Sequence, residues 1–413
     1  MFEERAGSRW TVAIAAVVIQ LCLGAAYGWS VFVKPLAASQ HWGLTQVSAI
    51  FSVAIFCLGI GTIIGGYWLD RSGPRVVASV AGLLYGAGYL VASWAVSNHS
   101  LAMLYLGYGV IGGLGGGMGY ICPIATLVKW FPEKRGLMTG VAVCGYGMGA
   151  LVMSAFAAPQ IVKRGIPTTF ILLGAAYGLL VILSAQLCRN PPLPIQGGGK
   201  TAAGSSQGDY KTSEALRTPQ FWILWLMLFL NVSAGIMIIS QASPMAQQLG
   251  GLSPISAAGV VGVIAIFNGL GRVFWAAVSD YIGRARVFVI LFTLQMLVFL
   301  ALPSLHTALL FTIAVALVGF SYGGGFGTMP ALTADMFGAR NIGGIYGIIL
   351  LAWGLGAVPS PLLIAHVRER TGQYSSAVYV VAAIMLVSIV LPLILRPPQP
   401  RRAGKNETVP AAG

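Results

Sequence analysis

Apolar residues fall into long blocks separated by short polar breaks. Twelve blocks span roughly 10–33, 45–69, 74–96, 100–128, 137–161, 167–188, 219–243, 254–279, 285–304, 307–334, 341–366 and 374–396. Each is close to the roughly 20 residues that a helix needs to cross a hydrocarbon core of about 30 Å. The breaks are rich in Gly, Pro and charge, as in "DRSGPR", "FPEKRG" and "SDYIGRAR". One break is long. Residues 189–218, rich in Pro, Gly and Ser, read as a flexible linker. The pattern predicts an all-α membrane protein with twelve transmembrane helices.

Composition strengthens this reading. The chain has 413 residues, 57% hydrophobic and only 8% charged, with a mean hydropathy of +0.83. Soluble domains carry about 25% charged residues. The net charge of +14 raises nucleic acid as a partner, but the distribution of the charge argues against it. With both termini cytoplasmic, eighteen Lys and Arg fall on the cytoplasmic side and five outside, and Arg272 completes the 24. That is the positive-inside bias, and it sets the expected orientation. Contact of these loops with anionic membrane lipid is consistent with it. The first block is too long for a removed signal peptide and lacks a small-residue cleavage site. The five cysteines (Cys22, Cys57, Cys122, Cys144 and Cys188) all lie in apolar blocks without metal-ligand spacing, which suits packing. No metal or cofactor is expected.

The two halves resemble each other. "GGYWLDRSGPR" (65–75) answers to "WAAVSDYIGRAR" (275–286), with Asp70 and Asp280 separated by 210 residues. "GGMGYICPIATLVKWFPEKRG" (116–136) answers to "GGGFGTMPALTADMFGARNIG" (323–343), and Trp10 to Trp222. The expected organisation is a six-helix bundle over 1–188, a cytoplasmic linker over 189–218, a second six-helix bundle over 219–396 and a cytoplasmic tail over 397–413. Such repeats mark transporters whose substrate site lies at the midplane, between halves that rock about it.

Arg272 sits within "IAIFNGLGRVFWAAVSDYIGR" (264–284), flanked by apolar residues. Asp280, eight residues on, is about 12 Å away along a helix, which puts Arg272 near mid-membrane. A guanidinium stays charged there at a cost of about 2.5–3.5 kcal/mol on the mildest scale. All ten acidic residues map to loops, tails or helix ends, so no acid at mid-depth is available to pair with it. Snorkelling or a bond to backbone carbonyls would be a structural use. The functional use is that the missing partner is the substrate, a carboxylate held by the planar fork. Asn268 lies four residues earlier, on the same helix face.

Several motifs carry a family resemblance. "GYWLDRSGPR" resembles the signature between helices 2 and 3 of the major facilitator superfamily, with a degraded second copy in which Ala276 and Tyr281 replace the glycine and the first arginine. "YGWSVFVKPL" (27–36), "KWFPEKRGLMTGVAVCGYGMG" (129–149), "LRTPQFWILW" (216–225) and "FNGLGRVFWAAVSDYIGR" (267–284) together resemble the oxalate/formate antiporter and monocarboxylate transporter families. The resemblance implies a carrier of small carboxylates with Arg272 as the anion-binding residue, proton symport, an inner-membrane location and a monomeric unit. It also implies a cytoplasmic gate built from Asp70, Arg71, Arg75, Lys134, Arg135, Asp280 and Arg284, in which a carboxylate faces a helix N-terminus or an arginine of the other half. Pathway candidates are Asn268, which could orient Arg272 or bind a second oxygen, Tyr120 and Tyr322, which the repeat positions and the family match favour, and Tyr27, Cys57, Tyr146, Phe326 and Trp353, which are equally open to plain packing.

This sequence also departs from the relatives. Tyr27 and Asn268 stand where mammalian-type monocarboxylate transporters place a lysine and an aspartate. Trp353 stands where the oxalate-type antiporter carries its second cation. One fixed positive charge suits a monocarboxylate such as lactate or pyruvate better than oxalate. Anion exchange of the oxalate/formate type and uniport stay open. An embedded enzyme would need a polar constellation at depth, and His41, His99, His306 and His366 do not provide one. A sensor would normally append a signalling domain, for which the polar tail is too short.

Overall fold

The computed structural model describes residues 2–191, 209–248, 250–356, 367, 370–371 and 374–398. Among the described residues every regular element is helical. The expected linker core (192–208), the outer end of the eleventh block (357–366), Pro359, Pro361, His366, Arg368 and most of the tail lie outside them.

Helix α1 covers Phe2–Leu23, passes through a 3₁₀ stretch at Gly24–Gly28 and resumes at Ser30–Gln40. It therefore runs past the expected end at 33. Two buried tyrosines support the 3₁₀ stretch. Tyr85 Oη donates to the Leu23 carbonyl at 3.2 Å and Tyr108 Oη to that of Ala26 at 3.4 Å. Helices α2 (Leu44–Ser72) and α3 (Pro74–Ser97) meet at Gly73, and α8 (Pro254–Ile282) and α9 (Arg284–Ala301) meet at Gly283. Both glycines have positive φ, 78° and 94°, a conformation that admits glycine without strain. The two matched sequence motifs thus make matched tight turns.

Helix α4 (Leu101–Trp130) contains a π-helical stretch at Tyr105–Gly112, where the expectation was a plain helix. A continuous 53-residue helix over Arg135–Leu187 is broken at Gly165 (φ 80°, ψ 167°). It forms α5 (135–164) and α6 (166–187), matching the fifth and sixth blocks. The second half supplies α7 (Pro219–Gln248), α10 (Ala308–Phe337) and α12 (Ser375–Ile394). Helix α11 is interrupted at Leu350, between Ile342–Ile349 and Leu351–Gly356.

Leu83, Leu179, Leu183 and Leu309 lie exposed on the outer faces of these helices, which a chain in water would not tolerate as a continuous belt. The halves meet along α2 with α11 and α5 with α8. Glycines make the approach close. A Cβ on Gly66 would overlap the Gly343 carbonyl, and one on Gly136 would overlap that of Ala276.

The end of the linker is docked. Its residues Thr212–Ala215 form a helical turn. Tyr210 N–H donates to the Phe337 carbonyl at 3.0 Å, and Asn341 Nδ2 donates to the Tyr210 carbonyl at 2.7 Å. Asp209 accepts from the Arg340 N–H at 3.1 Å. These bonds satisfy the polar groups exposed where α10 ends and α11 begins.

Candidate functional site

Arg272 is 1% exposed, the only cation among the buried polar side chains of the described residues. Its Nε donates to Asn268 Oδ1 at 3.0 Å, so the i,i+4 spacing on α8 aligns the guanidinium. Its Nη1 donates to the Val143 carbonyl on α5, across the interface, at 3.1 Å. Phe326 stacks beneath it, with Cζ 5.1 Å from the ring centroid. Its charge acts on the side chains of Tyr120, Tyr27, Tyr322, Cys144, Tyr146 and Tyr346. No carboxylate is among them.

An aromatic cage surrounds this group, drawn from both halves. Trp353, on the short helix after the break in α11, is its centre. Its ring lies 5.9 Å from Tyr27, 5.9 Å from Tyr120, 6.1 Å from Tyr146 and 5.3 Å from Phe326. Tyr146 stands edge-on to Tyr27 at 5.2 Å and to Tyr120 at 5.0 Å. Tyr322 packs on Phe326 at 5.2 Å. The hydroxyls of Tyr27, Tyr120 and Tyr146 are buried without a well-formed protein hydrogen bond, those of Tyr120 and Tyr27 lying within reach of Arg272 and Tyr322 respectively. Buried hydroxyls are normally satisfied, so these three leave hydrogen-bonding capacity beside one buried guanidinium. Chemically it can take a small anion: charge from Arg272, hydrogen bonds from the tyrosines, and apolar walls from Phe326 and Trp353.

Eight of the nine pathway candidates are thereby gathered: Tyr27, Tyr120, Tyr146, Asn268, Arg272, Tyr322, Phe326 and Trp353. Cys57 is placed elsewhere, buried with its Cβ facing Gly113 on α4. Gly113 is seven residues before Tyr120, about 10 Å along the helix.

A second cluster lies at the end of the molecule that carries the α2–α3 and α8–α9 turns. Asp70 accepts from the Gly343 and Gly344 N–H groups, at 3.2 and 2.7 Å, at the start of α11. Asp280 accepts from those of Gly136 and Leu137, both at 3.0 Å, at the start of α5. Each aspartate thus caps a helix N-terminus of the opposite half, where orphan N–H groups and the helix dipole favour a negative charge. Arg284 pairs with Asp280 at 2.8 Å and Asp335 at 2.5 Å, and Arg135 reaches Asp335 across the interface at 3.2 Å. Arg71, Arg75 and Lys134 are exposed and form no ion pair among the described residues.

Sequence reasoning missed several participants. Asp335 links two arginines of the cluster. The Val143 carbonyl could not be read from side-chain types. The buried Tyr346 hydroxyl is a fourth such group, on the face of α11 that carries Trp353 two turns later. Gln20 and Asn231 are also buried. They are amides at matched positions of the first and seventh blocks, a signal the repeat already contained.

The fold and this paired arrangement define a two-bundle membrane carrier. The chain belongs to the Major Facilitator Superfamily, whose family model matches residues 16–361 and 251–412. It is 33% identical over 353 residues to an uncharacterized MFS-type transporter, YhjX, of Escherichia coli (strain K12), covering 85% of this chain and 86% of that protein. It is 28% identical over 400 residues to the oxalate:formate antiporter of Oxalobacter formigenes, covering 95% and 93%. It is 24% identical over 421 residues to monocarboxylate transporter 14 of Mus musculus, covering 83% and 81%. In fold it is similar to the transporter FucP in the outward conformation, with a TM-score of 0.75 at 16% identity, covering 93% of this chain and 98% of that one. The protein is a transporter and not an enzyme.

Proposed function

We propose that the chain is a secondary active transporter of small monocarboxylates of the lactate and pyruvate kind, working by alternating access with Arg272 pairing the substrate carboxylate. The observation that carries this is the buried Arg272 guanidinium, which has no described carboxylate beside it and lies among the tyrosine hydroxyls of the cage, those of Tyr27, Tyr120 and Tyr146 making no well-formed protein hydrogen bond. A bound carboxylate would supply the missing counter-charge and accept from these hydroxyls. Trp353 fills the place of a second cation, so the cage holds one fixed positive charge and suits a monoanion.

In this reading the Asp70 and Asp280 caps form the cytoplasmic gate, and Arg135 and Arg284 brace it. Arg71, Arg75 and Lys134 contribute charge to the cytoplasmic surface. The termini are cytoplasmic, the chain acts as a monomer in the inner membrane, and a proton accompanies the substrate. The described acids (Glu3, Glu4, Asp70, Glu133, Asp209, Glu214, Asp280 and Asp335) all lie in loops or near helix ends, away from mid-depth. The proton therefore travels with the substrate and not on a buried carboxylate. The similarity to an oxalate:formate antiporter supports a second reading, exchange of anions.

The test is uptake of radiolabelled L-lactate into liposomes holding the purified protein. Stimulation by an inward proton gradient is expected. Equal rates with and without the gradient would remove symport, and uptake only into anion-loaded liposomes would establish exchange. Transport of oxalate with no competition from lactate would overturn the monocarboxylate assignment.

A further inference from the structure

Two buried amides lie 211 residues apart, Gln20 on α1 and Asn231 on α7, both fully buried. Gln20 Nε2 donates to the backbone carbonyl of Tyr120 at 3.1 Å. Asn231 Nδ2 donates to the backbone carbonyl of Tyr322 at 3.2 Å. In each half, the first helix sends one amide to the backbone of a cage tyrosine on the glycine-rich fourth helix.

Inheritance from a duplicated ancestor does not explain this pairing by itself. Tyr120 lies three residues before Pro123, whereas Tyr322 lies eight before Pro330. The strict repeat mate of Tyr120 is Gly327, more than one helical turn from Tyr322. The amides lie within one residue of equivalent positions, an offset of 211 against 212 for Trp10 and Trp222, yet each has found a tyrosine at a more distant register. What has been kept is the partner's identity as a cage residue.

The surroundings are built for the contact. Gln295 Nε2 donates to Asn231 Oδ1 at 2.9 Å, orienting that amide. Gly325 leaves the room it needs, since a Cβ there would overlap the Asn231 side chain. A carbonyl inside a helix already accepts from its own fourth-following N–H. A second donor from another helix fixes the rotation and height of that turn, and hence the direction of the side chain it carries. On glycine-rich helices, which lack the side-chain bulk that normally sets rotation, such a tether matters more.

We propose that Gln20 and Asn231 are positioning residues that set Tyr120 and Tyr322, one in each half, against the substrate. The proposal rests on reading those tyrosines as substrate contacts, and its test separates the two claims. In the full-length purified protein, 3-fluorotyrosine placed at 120 or 322 is followed by ¹⁹F NMR. Gln20→Met should shift or broaden the 120 signal and leave 322 unchanged, and Asn231→Leu should do the reverse. In liposomes, Gln20→Met should raise the KM for L-lactate about fivefold or more with kcat within about twofold. That rise should largely vanish in a Tyr120→Phe background, because the amide acts through the hydroxyl.

Unmoved ¹⁹F signals would overturn the proposal. So would a KM effect that persists undiminished beside Tyr120→Phe, or a loss confined to kcat. Gln20→Asn and Asn231→Ser keep a polar group that falls short of the carbonyl. They should reproduce the same effects where the apolar variants do not fold. If wild type carries no lactate while the ¹⁹F responses hold, the substrate reading fails and the positioning of the two tyrosines stands.

Discussion

The turn-bearing end of the molecule and its centre treat the internal repeat in opposite ways. At the end, the halves share one capping device, although among the described residues only Asp280 of the two aspartates is also ion-paired, to Arg284. Asp70 caps α11 and Asp280 caps α5, each through two backbone N–H groups of the opposite half. At the centre they diverge. The repeat mate of Arg272, at the 210-residue spacing of the aspartates, is Thr62. Both side chains reach across the interface to a backbone carbonyl. Arg272 reaches Val143 on α5, and Thr62 Oγ1 donates to Gly347 on α11 at 3.0 Å. The inter-half bond has been retained on both sides, but a charge has been placed on only one. Closing two halves together is a symmetric task, so both copies serve it. On the proposed function, binding a small anion needs a single charge in one place, which would account for the broken symmetry there.

The comparison breaks most completely at Arg272. Arg272→Ala should abolish saturable lactate uptake, by about 100-fold or more, while the protein folds normally. A substrate carboxylate left unpaired in a buried site loses roughly 3–5 kcal/mol. Arg272→Lys should be severely impaired too, because a point charge does not reproduce the planar fork. Uptake near the wild-type rate in the alanine variant, in proteoliposomes of equal protein content, would make Arg272 structural and the asymmetry incidental.

The symmetric end should fail next, and identically from either half. Gly66→Ala and Gly136→Ala each place a methyl against a carbonyl of the opposite half, so neither variant should close at this end. The readout is thiol labelling of Leu69→Cys, at a position 2% exposed, in a background lacking the five native cysteines. Labelling should go from slow to rapid in both variants. Protection retained in either would show that the glycine contact is not required for closure.

Asp70→Asn and Asp280→Asn are gentler versions of the same break. Each keeps the shape but turns one acceptor into a donor that faces an N–H and removes the charge at a helix N-terminus. A loss of about 1–2 kcal/mol in the closed state is expected, which corresponds to about a tenfold faster labelling of the same cysteine. Lactate binding should be largely preserved, because neither aspartate touches the cage. Asp280→Asn should have the larger effect, because it also breaks the ion pair with Arg284; no change in labelling from Asp70→Asn would show that the helix cap alone does not hold this end closed.

Much of this was legible in the residues, for identifiable reasons. Arg272 announced itself because an uncompensated charge in an apolar block is costly enough to demand a purpose. Asp70 and Asp280 announced themselves through repetition and through the glycines at 73 and 283, whose positive φ the tight turn requires. Trp353, Tyr27 and Tyr146 were candidates by type, but their convergence depends on two interruptions that no periodicity reveals: the 3₁₀ stretch in α1 and the break at Leu350 in α11. Cys57 was chosen as the repeat mate of Phe267, and the structure places it against Gly113. The difference follows from the asymmetry itself, since a mate need not share a role where the halves diverge. The Val143 carbonyl was invisible because backbone acceptors carry no sequence signature.

Thr62→Val gives the finest test of whether the inter-half bond at this level has worth apart from charge. Valine keeps the branched shape and removes the hydroxyl, whose single proton is shared between the carbonyls of Gly59, at 2.7 Å, and Gly347, at 3.0 Å. Thr62 is fully buried, so no water replaces the lost contact in the closed state. Each lost neutral bond is worth about 0.5–1.5 kcal/mol net. The bond to Gly59 lies within α2 and survives opening, so only the bond to Gly347 discriminates between states. Because the proton is shared, closure should weaken by the low end of that range, about 0.5 kcal/mol, roughly a twofold rise in Leu69→Cys labelling, with the KM for lactate unchanged. Arg272→Ala removes the matching bond together with the charge and should change both. If Thr62→Val raised KM as well, Thr62 would belong to the substrate site and the centre would be more symmetric than the charges suggest. If it changed neither quantity, the bond to Gly347 would be a by-product of close packing, and only the aspartates and glycines would hold the halves together.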